Sequence, residues 1–208
     1  MLSKKAKVLQ RLAGKSLLEH ILCSAEEISS KTSIVVGFDK LSVEKEVSKI
    51  SIKAKTYEQK KQIGTADAVS TVIDSINENE KVLILYGDVP LISKNTLKDL
   101  CLLNDSISIL TTNLIKPTGY GRVIKDAKSL VVEIIEEKDT NAEQKEIKEI
   151  FTGVMAINGK ILKELLPSIN NKNASKEYYL TDLIGIACSN RFKIETLNVS
   201  WEETLGAN

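Results

Sequence analysis

The sequence predicts an α/β fold built on a mixed, mainly parallel sheet packed between helices in three layers. Three observations carry this. Val82-Leu83-Ile84-Leu85 is an unbroken apolar run, the pattern of a strand buried on both faces. Strand-like and helix-like segments alternate from Ser16 to Asn113, the rhythm of crossover units. The apolar run then stops in Tyr86-Gly87-Asp88-Val89-Pro90, where the proline bars a central strand from continuing. Asp88 therefore falls at the carboxyl end of a strand, where open α/β sheets bind ligands. A turn aspartate bonded to its own backbone is the alternative.

The elements follow in order. Ser16-Leu17-Leu18-Glu19 has capping-box spacing, and Leu18, Ile21, Leu22, Ala25 and Ile28 continue as a helix to about Ser29. Ser33–Gly37 reads as a short buried strand. Val43, Val47 and Ile50 stripe a second helix, and Ile52–Tyr57 alternates like a strand. Thr65 stands where it could cap a helix with an inner face of Ala68, Val69, Val72, Ile73 and Ile76. A helix from Ser93 to Leu103 and a strand at Ser106–Asn113 follow the apolar run. After Asn113 the rhythm changes. Pro117–Gly121 is a dense turn signal. Strands are expected at Arg122–Lys125, Leu130–Glu136, Ile150–Ile157 and Lys193–Val199, with helices at Gly159–Leu166 and Leu180–Asn190.

Composition narrows the function classes. The chain has 208 residues, enough for one domain with a sizeable core. Lys+Arg 29 against Asp+Glu 28 leaves a net charge of +1, so no global field favours nucleic acid or an anionic membrane. No apolar run reaches membrane-spanning length, and Lys15 and Glu19 interrupt the stretch a signal peptide would need. Cys23, Cys101 and Cys188 have no metal or redox spacing and read as inert buried thiols in a reduced cytoplasm.

Several segments carry candidate chemistry. Lys7 suits a phosphate contact, or belongs to a solvated basic terminus with Lys4, Lys5 and Arg11. Gln59–Ala66 follows a strand and combines amides, Gly64 and Thr65; an amide offers both a donor and an acceptor to a nucleobase edge. Thr118–Arg122, Glu136-Glu137-Lys138 and Glu177–Asp182 each fit a turn, a polar strand end and a capped helix entry when taken singly. His20, the single histidine, reads as structural or exposed. Without a suitably spaced Ser/His/Asp set, hydrolytic nucleophile chemistry has no support. No GxGxxG or GxxxxGK[ST] motif occurs.

Read together and in order, these segments resemble the uridyltransferase domain of bacterial N-acetylglucosamine-1-phosphate uridyltransferase. The matching pieces are Lys7–Gln10 with Leu12–Lys15, Gln59–Ala68, Leu85–Leu91, Pro117–Arg122, Glu136–Asp139, Thr152-Gly153, and Asn173-Ala174 with Glu177–Asp182. The resemblance implies a Rossmann-like nucleotidyltransferase fold in one domain, residues 1–208. Residues 1–113 would form the nucleotide half and residues 114–208 the sugar half. It implies transfer of a uridylyl group from UTP to N-acetylglucosamine 1-phosphate, giving UDP-N-acetylglucosamine and pyrophosphate, in the cytoplasm. Asp88 would hold Mg²⁺ with Asn208 as second ligand, and Lys7 would be the phosphate lysine. Gln59, Gly64 and Thr65 would form the uracil site. Tyr86, Gly87, Gly121, Glu136, Tyr179 and Thr181 would line the nucleotide-sugar site.

Three departures from the family pattern set further expectations. The family's opening strand and glycine-rich loop would precede Met1, so this chain is expected to transfer uridylyl groups poorly. It is also expected to show a gap or altered pairing beside the Val82–Tyr86 strand. Phe151 stands where the family has a sugar-binding asparagine, which keeps open a related nucleotidyltransferase with another sugar. The family's acetyltransferase domain would follow Asn208, so weak or no self-association is expected. A non-catalytic nucleotide-sugar-binding module is the remaining alternative.

Overall fold

A computed structural model describes residues 5–50, 54–103 and 106–206. A two-residue hairpin, β1 (Arg11–Leu12) and β2 (Lys15–Ser16), leads into α1 (Leu17–Glu26). Ser16 caps α1: its Oγ accepts from the Glu19 amide at 3.2 Å, as the spacing predicts. β3 (Thr32–Val36), α2 (Lys40–Val47) and β4 (Ala54–Glu58) form a crossover unit whose strands pair in parallel. Then come α3 (Thr65–Ser70), β5 (Lys81–Leu85), α4 (Lys94–Leu102) and β6 (Ile107–Asn113). The second half adds β7 (Arg122–Lys125), β8 (Val131–Ile135), α5 (Ala142–Lys145), β9 (Glu149–Asn158), α6 (Gly159–Leu165), α7 (Asp182–Ser189) and β10 (Ile194–Asn198).

The main sheet runs β10-β6-β9-β7-β8, with β5 also on β9. It is mixed, as expected, but its balance differs. Among the described strands two ladders are parallel, β10·β6 and β3·β4, and five are antiparallel. The reason is β9, a strand of the second half, which runs antiparallel to both β5 and β6 and separates them. Its residues Ile150–Ile157 are buried throughout and anchor the core around Met155, Leu162, Leu180 and Leu183. Each such side chain removed from water contributes roughly 1.5–3 kcal/mol.

Among the described strands β5 pairs with β9 alone, and β3–β4 forms a separate two-stranded sheet. Among the described strands a break therefore lies beside Val82–Leu85. The run packs on both faces, as its pattern implies: Val82 and Ile84 lie against the cluster around Met155, and Leu83 and Leu85 against the one around Leu97 and Leu100. Its five residues are still only half-buried, because among the described strands one edge of β5 has no sheet neighbour. Three further expectations change. α3 ends at Ser70 rather than near Ile76, since Val72 (φ −112, ψ 0) leaves helical geometry before a 3-10 turn at Ile73–Ser75. The thiols are free but not buried: Cys23 is exposed, and Cys101 and Cys188 are intermediate. Ile52 lies outside the described residues, so the strand expected from it is seen from Ala54. Among the described residues no helix is long and apolar enough to cross a membrane.

Candidate active site

The carboxyl end of β5 delivers Tyr86, Gly87 and Asp88. Lys7 reaches it from a one-turn 3-10 helix, Lys7–Leu9, and its Nζ donates to Asp88 Oδ2 at 2.8 Å. The turn is held in place. Ala6 and Leu9 are buried against α1, α2 and β3, and the Ala6 amide donates to Asp39 Oδ2 at 3.1 Å. Gly87 is needed there: a Cβ would lie 2.8 Å from Val8 Cγ1. Of the basic start, then, Lys7 is no solvated terminus, whereas Arg11 pairs with Glu46 at 3.1 Å. The Lys7 and Asp88 side chains are 22% and 35% exposed, so their pairing adds only ~0–1 kcal/mol to stability.

Gln59 follows β4, and its Nε2 donates both to the Gly64 carbonyl (3.0 Å) and to Asp67 Oδ2 (2.8 Å). Gly64 has φ +131, and a Cβ there would sit 2.3 Å from the Tyr178 carbonyl oxygen. The contact is close because the strands of chain are stitched together. Tyr178 N donates to Ile63 O (2.8 Å), Ala66 N to Tyr178 O (2.9 Å), and Leu180 N to Thr65 Oγ1 (2.9 Å). Thr65 therefore does not cap α3. It occupies the first turn behind Gly64, and its hydroxyl serves Leu180 and the Tyr86 phenol instead.

The same stitching brings in the second half. Thr181 Oγ1 donates to Glu136 Oε1 at 2.9 Å, so it too leaves its expected capping role. Burial pushes the Glu136 carboxyl above its usual range, opposed by the Thr181 bond and reinforced by the carboxylates of Asp139 and Glu177. Burial likewise raises the Tyr179 phenol, opposed by Ser175 and reinforced by Asp139, Glu136 and Glu177. Gly121 lies against Glu136: a Cβ on it would be 3.7 Å from the Glu136 carboxyl carbon and 2.9 Å from Ile134 Cγ2. Its carbonyl accepts from Phe151 N at 2.9 Å.

Phe151 is 5% exposed and meets the Tyr86 ring edge-to-face, with centroids 6.2 Å apart and planes at 82°. Gly153 (φ +85) leaves room for that ring, since a Cβ there would be 2.5 Å from Tyr86 Cδ2. Burial raises the Tyr86 phenol strongly, with Thr65 opposing. Lys7, Asp88, Gln59, Gly64, Thr65, Tyr86, Gly121, Glu136, Phe151, Tyr179 and Thr181 are thus linked through direct contacts or electrostatic interactions. Asn208 lies outside the described residues. Gly206 approaches the Asp88 backbone, where a Cβ would be 3.4 Å from the Asp88 carbonyl oxygen.

Sequence reasoning missed three participants. Asp67 holds the Gln59 amide. Tyr178 is the backbone partner of Gly64. Arg122 is 1% exposed and donates to the Tyr120 carbonyl and to Glu137 Oε2 (2.6 Å), tying the Gly121 turn to the strand end that carries Glu136. All three lie in segments that the sequence singles out, Gln59–Ala68, Glu177–Asp182 and Pro117–Arg122, but without a role of their own. His20 stays outside the site, with Nε2 2.8 Å from the Leu12 carbonyl. Among the described residues no cluster of three or more His, Cys, Asp or Glu could hold a metal ion.

A lysine-carboxylate pair thus stands at a strand end, and comparison with known proteins gives the class of the chain, a nucleotidyltransferase. The chain belongs to the MobA-like NTP transferase domain family, whose model matches residues 2–117. Among curated proteins it is similar to the bifunctional protein GlmU. The protein of that name from Hydrogenovibrio crunogenus is 42% identical over 214 residues, covering 100% of this chain and 46% of the relative. Those from Methylococcus capsulatus and Saccharophagus degradans are 40% and 41% identical over 214 and 212 residues, with the same coverage. The chain thus spans about half the length of these relatives. Among solved structures it resembles a UDP-glucose pyrophosphorylase complexed with UDP-glucose. The TM-score is 0.72 at 17% identity, over 92% of this chain and 81% of that one, which establishes the shared fold.

Proposed function

We propose that this chain transfers the uridylyl group of UTP to N-acetylglucosamine 1-phosphate, forming UDP-N-acetylglucosamine and pyrophosphate, in the cytoplasm. The observation that carries the reading is the Lys7–Asp88 pair at the ligand edge of the sheet. The likeness to GlmU across the whole chain supports the choice of substrates.

The residues suit the chemistry. An oxygen of the sugar phosphate, already anionic, bonds to the α-phosphorus of UTP, and the bond to the β-phosphate oxygen breaks. No general base is needed, so positioning and charge neutralisation do the work. Lys7 supplies a point charge to the transferring phosphates. Gln59, Gly64 and Thr65 hold the base. Tyr86, Gly121, Glu136, Tyr179 and Thr181 hold the nucleotide sugar. The donor set also fits Mg²⁺, which favours one or two carboxylates completed by substrate phosphates and water. Asp88 is a partly open carboxylate of that kind, with Asn208 proposed as its neighbour. Bound there, the ion would neutralise charge developing on the phosphates.

A different sugar 1-phosphate is the second reading, favoured by Phe151. Its buried ring offers no hydrogen bond to a sugar hydroxyl. Pyrophosphate release from UTP, measured across a panel of sugar 1-phosphates, tests both. Preference for N-acetylglucosamine 1-phosphate upholds the first; a stronger response to another sugar transfers the reading to the second. If no sugar phosphate elicits release and calorimetry shows no binding of UDP-N-acetylglucosamine with Mg²⁺, both fail.

A further inference from the structure

We infer that Asp67 is a positioning residue for nucleobase choice: it locks the Gln59 amide so that Oε1 faces the ligand as an acceptor. The inference deepens the uridylyl reading and rests on it.

An amide side chain is ambiguous by itself, since its two ends exchange by a flip. Here the protein removes the ambiguity. Gln59 Nε2 donates to two groups that only accept, the Gly64 carbonyl at 3.0 Å and the Asp67 carboxylate at 2.8 Å. The flipped amide would place Oε1 against both, three oxygens together with no proton between them. Both Nε2 hydrogens are therefore used inside the protein, and Oε1 is the end offered outward. The anchor is rigid. Gly64 is held against Tyr178, and Asp67 sits in the first turn of α3, whose Ala66 is 2% exposed and bonded to the Tyr178 carbonyl.

An acceptor in that place reads a ring N–H. Uracil presents one at N3, flanked by carbonyls. Cytosine presents a lone pair at the same ring position, so its approach sets acceptor against acceptor. A free amide would turn to suit either base. A locked one cannot, and the selection passes to Asp67, which need not touch the nucleotide. A bland alternative exists: an acid in a helix's first turn interacts favourably with the helix dipole whatever the ligand. That role would alter stability and leave base choice alone.

The test is calorimetric binding of UTP and of CTP, each with Mg²⁺, to the full chain and to the variants D67A and D67N. The wild-type chain should prefer UTP by about tenfold or more. D67A should lose most of that preference, chiefly by gaining affinity for CTP. D67N, whose carbonyl can still accept from Nε2, should recover most of it. If the wild type shows no preference or binds neither nucleotide, the uridylyl reading falls and takes this inference with it. If the preference is present and D67A keeps it, or D67A weakens both nucleotides equally, the inference alone is overturned.

Discussion

Lys7 and Asp88 meet at 2.8 Å although 81 positions separate them in the sequence. Neither is deeply buried, and exposed pairs of this kind contribute ~0–1 kcal/mol. Their placement is better explained by chemistry than by stability. Lys7→Ala and Asp88→Asn should each lower the urea midpoint only slightly. Lys7→Ala should reduce kcat for uridylyl transfer about 10²–10³-fold, the cost of removing one charge-stabilising group. Parallel unfolding titrations and single-turnover kinetics check both halves. A large stability loss with unchanged turnover would make the pair structural.

Gly64→Ala acts on the opposite balance. The backbone is at φ +131, and the new methyl would run into Tyr178 backbone atoms at 2.3–2.7 Å. Strain of this kind costs roughly 1–3 kcal/mol before any displacement of Tyr178. A drop of that size in unfolding free energy, with weaker UTP binding, is expected. The same substitution at Gly119, also at positive φ but with nothing within 4 Å, should cost less. Equal losses would remove the case for a clasp between the Ile63–Ala66 turn and Tyr178.

Asp182 supplies a pH signature. Burial, then the carboxylates of Glu136, Asp139 and Glu133, push its pKa from the usual 3.8 to about 6. The folded chain thus holds this proton more tightly than the unfolded one. Its stabilising contribution is complete below pH 3.8 and is lost as pH rises through about 6. Asp182→Asn, which carries no charge to bury, should be more stable than wild type at pH 7.5. The advantage should shrink as pH falls from 6 towards 4. Urea midpoints across that range decide it, and a constant difference would rule out titration of Asp182 as the cause.

Phe151→Asn tests the position where the family resemblance implies a sugar-binding asparagine. Removing a buried ring at Tyr86 should destabilise the chain by roughly 3–5 kcal/mol, as for other large-to-small core changes. If the sugar lies over this position, the amide should also shift acceptor preference towards N-acetylglucosamine 1-phosphate. Relative kcat/KM for two sugar phosphates reads this independently of stability. An unchanged ratio would place Phe151 in the core alone.

Local signals were legible where the partner is a near neighbour in sequence. Ser16 and Ser93 cap their helices through amides three residues away, so spacing alone reveals them. Thr65 has the same local pattern and a different fate, because Leu180 N, 115 positions on, claims its oxygen. Thr181 is diverted likewise by Glu136. Strand direction was the other hidden quantity. Residues 150–157 read correctly as a strand, but nothing local says that they insert between β5 and β6 and run against both. The candidate residues can be named individually from the order of their segments along the chain and the family resemblance. What joins them, the Tyr178 backbone, the Asp67 carboxylate and the pairing of buried Arg122 with Glu137, is long-range or packed out of sight of any periodic pattern.

Uridylyl transfer at Asp88 is read out by phosphorus NMR of UTP mixed with N-acetylglucosamine 1-phosphate and Mg²⁺, with wild-type chain and Asp88→Asn side by side. UDP-N-acetylglucosamine and pyrophosphate should accumulate in equal amounts with the wild type, at whatever rate, and neither should form with Asp88→Asn. Pyrophosphate forming without the sugar nucleotide, or equal turnover by Asp88→Asn, would contradict it.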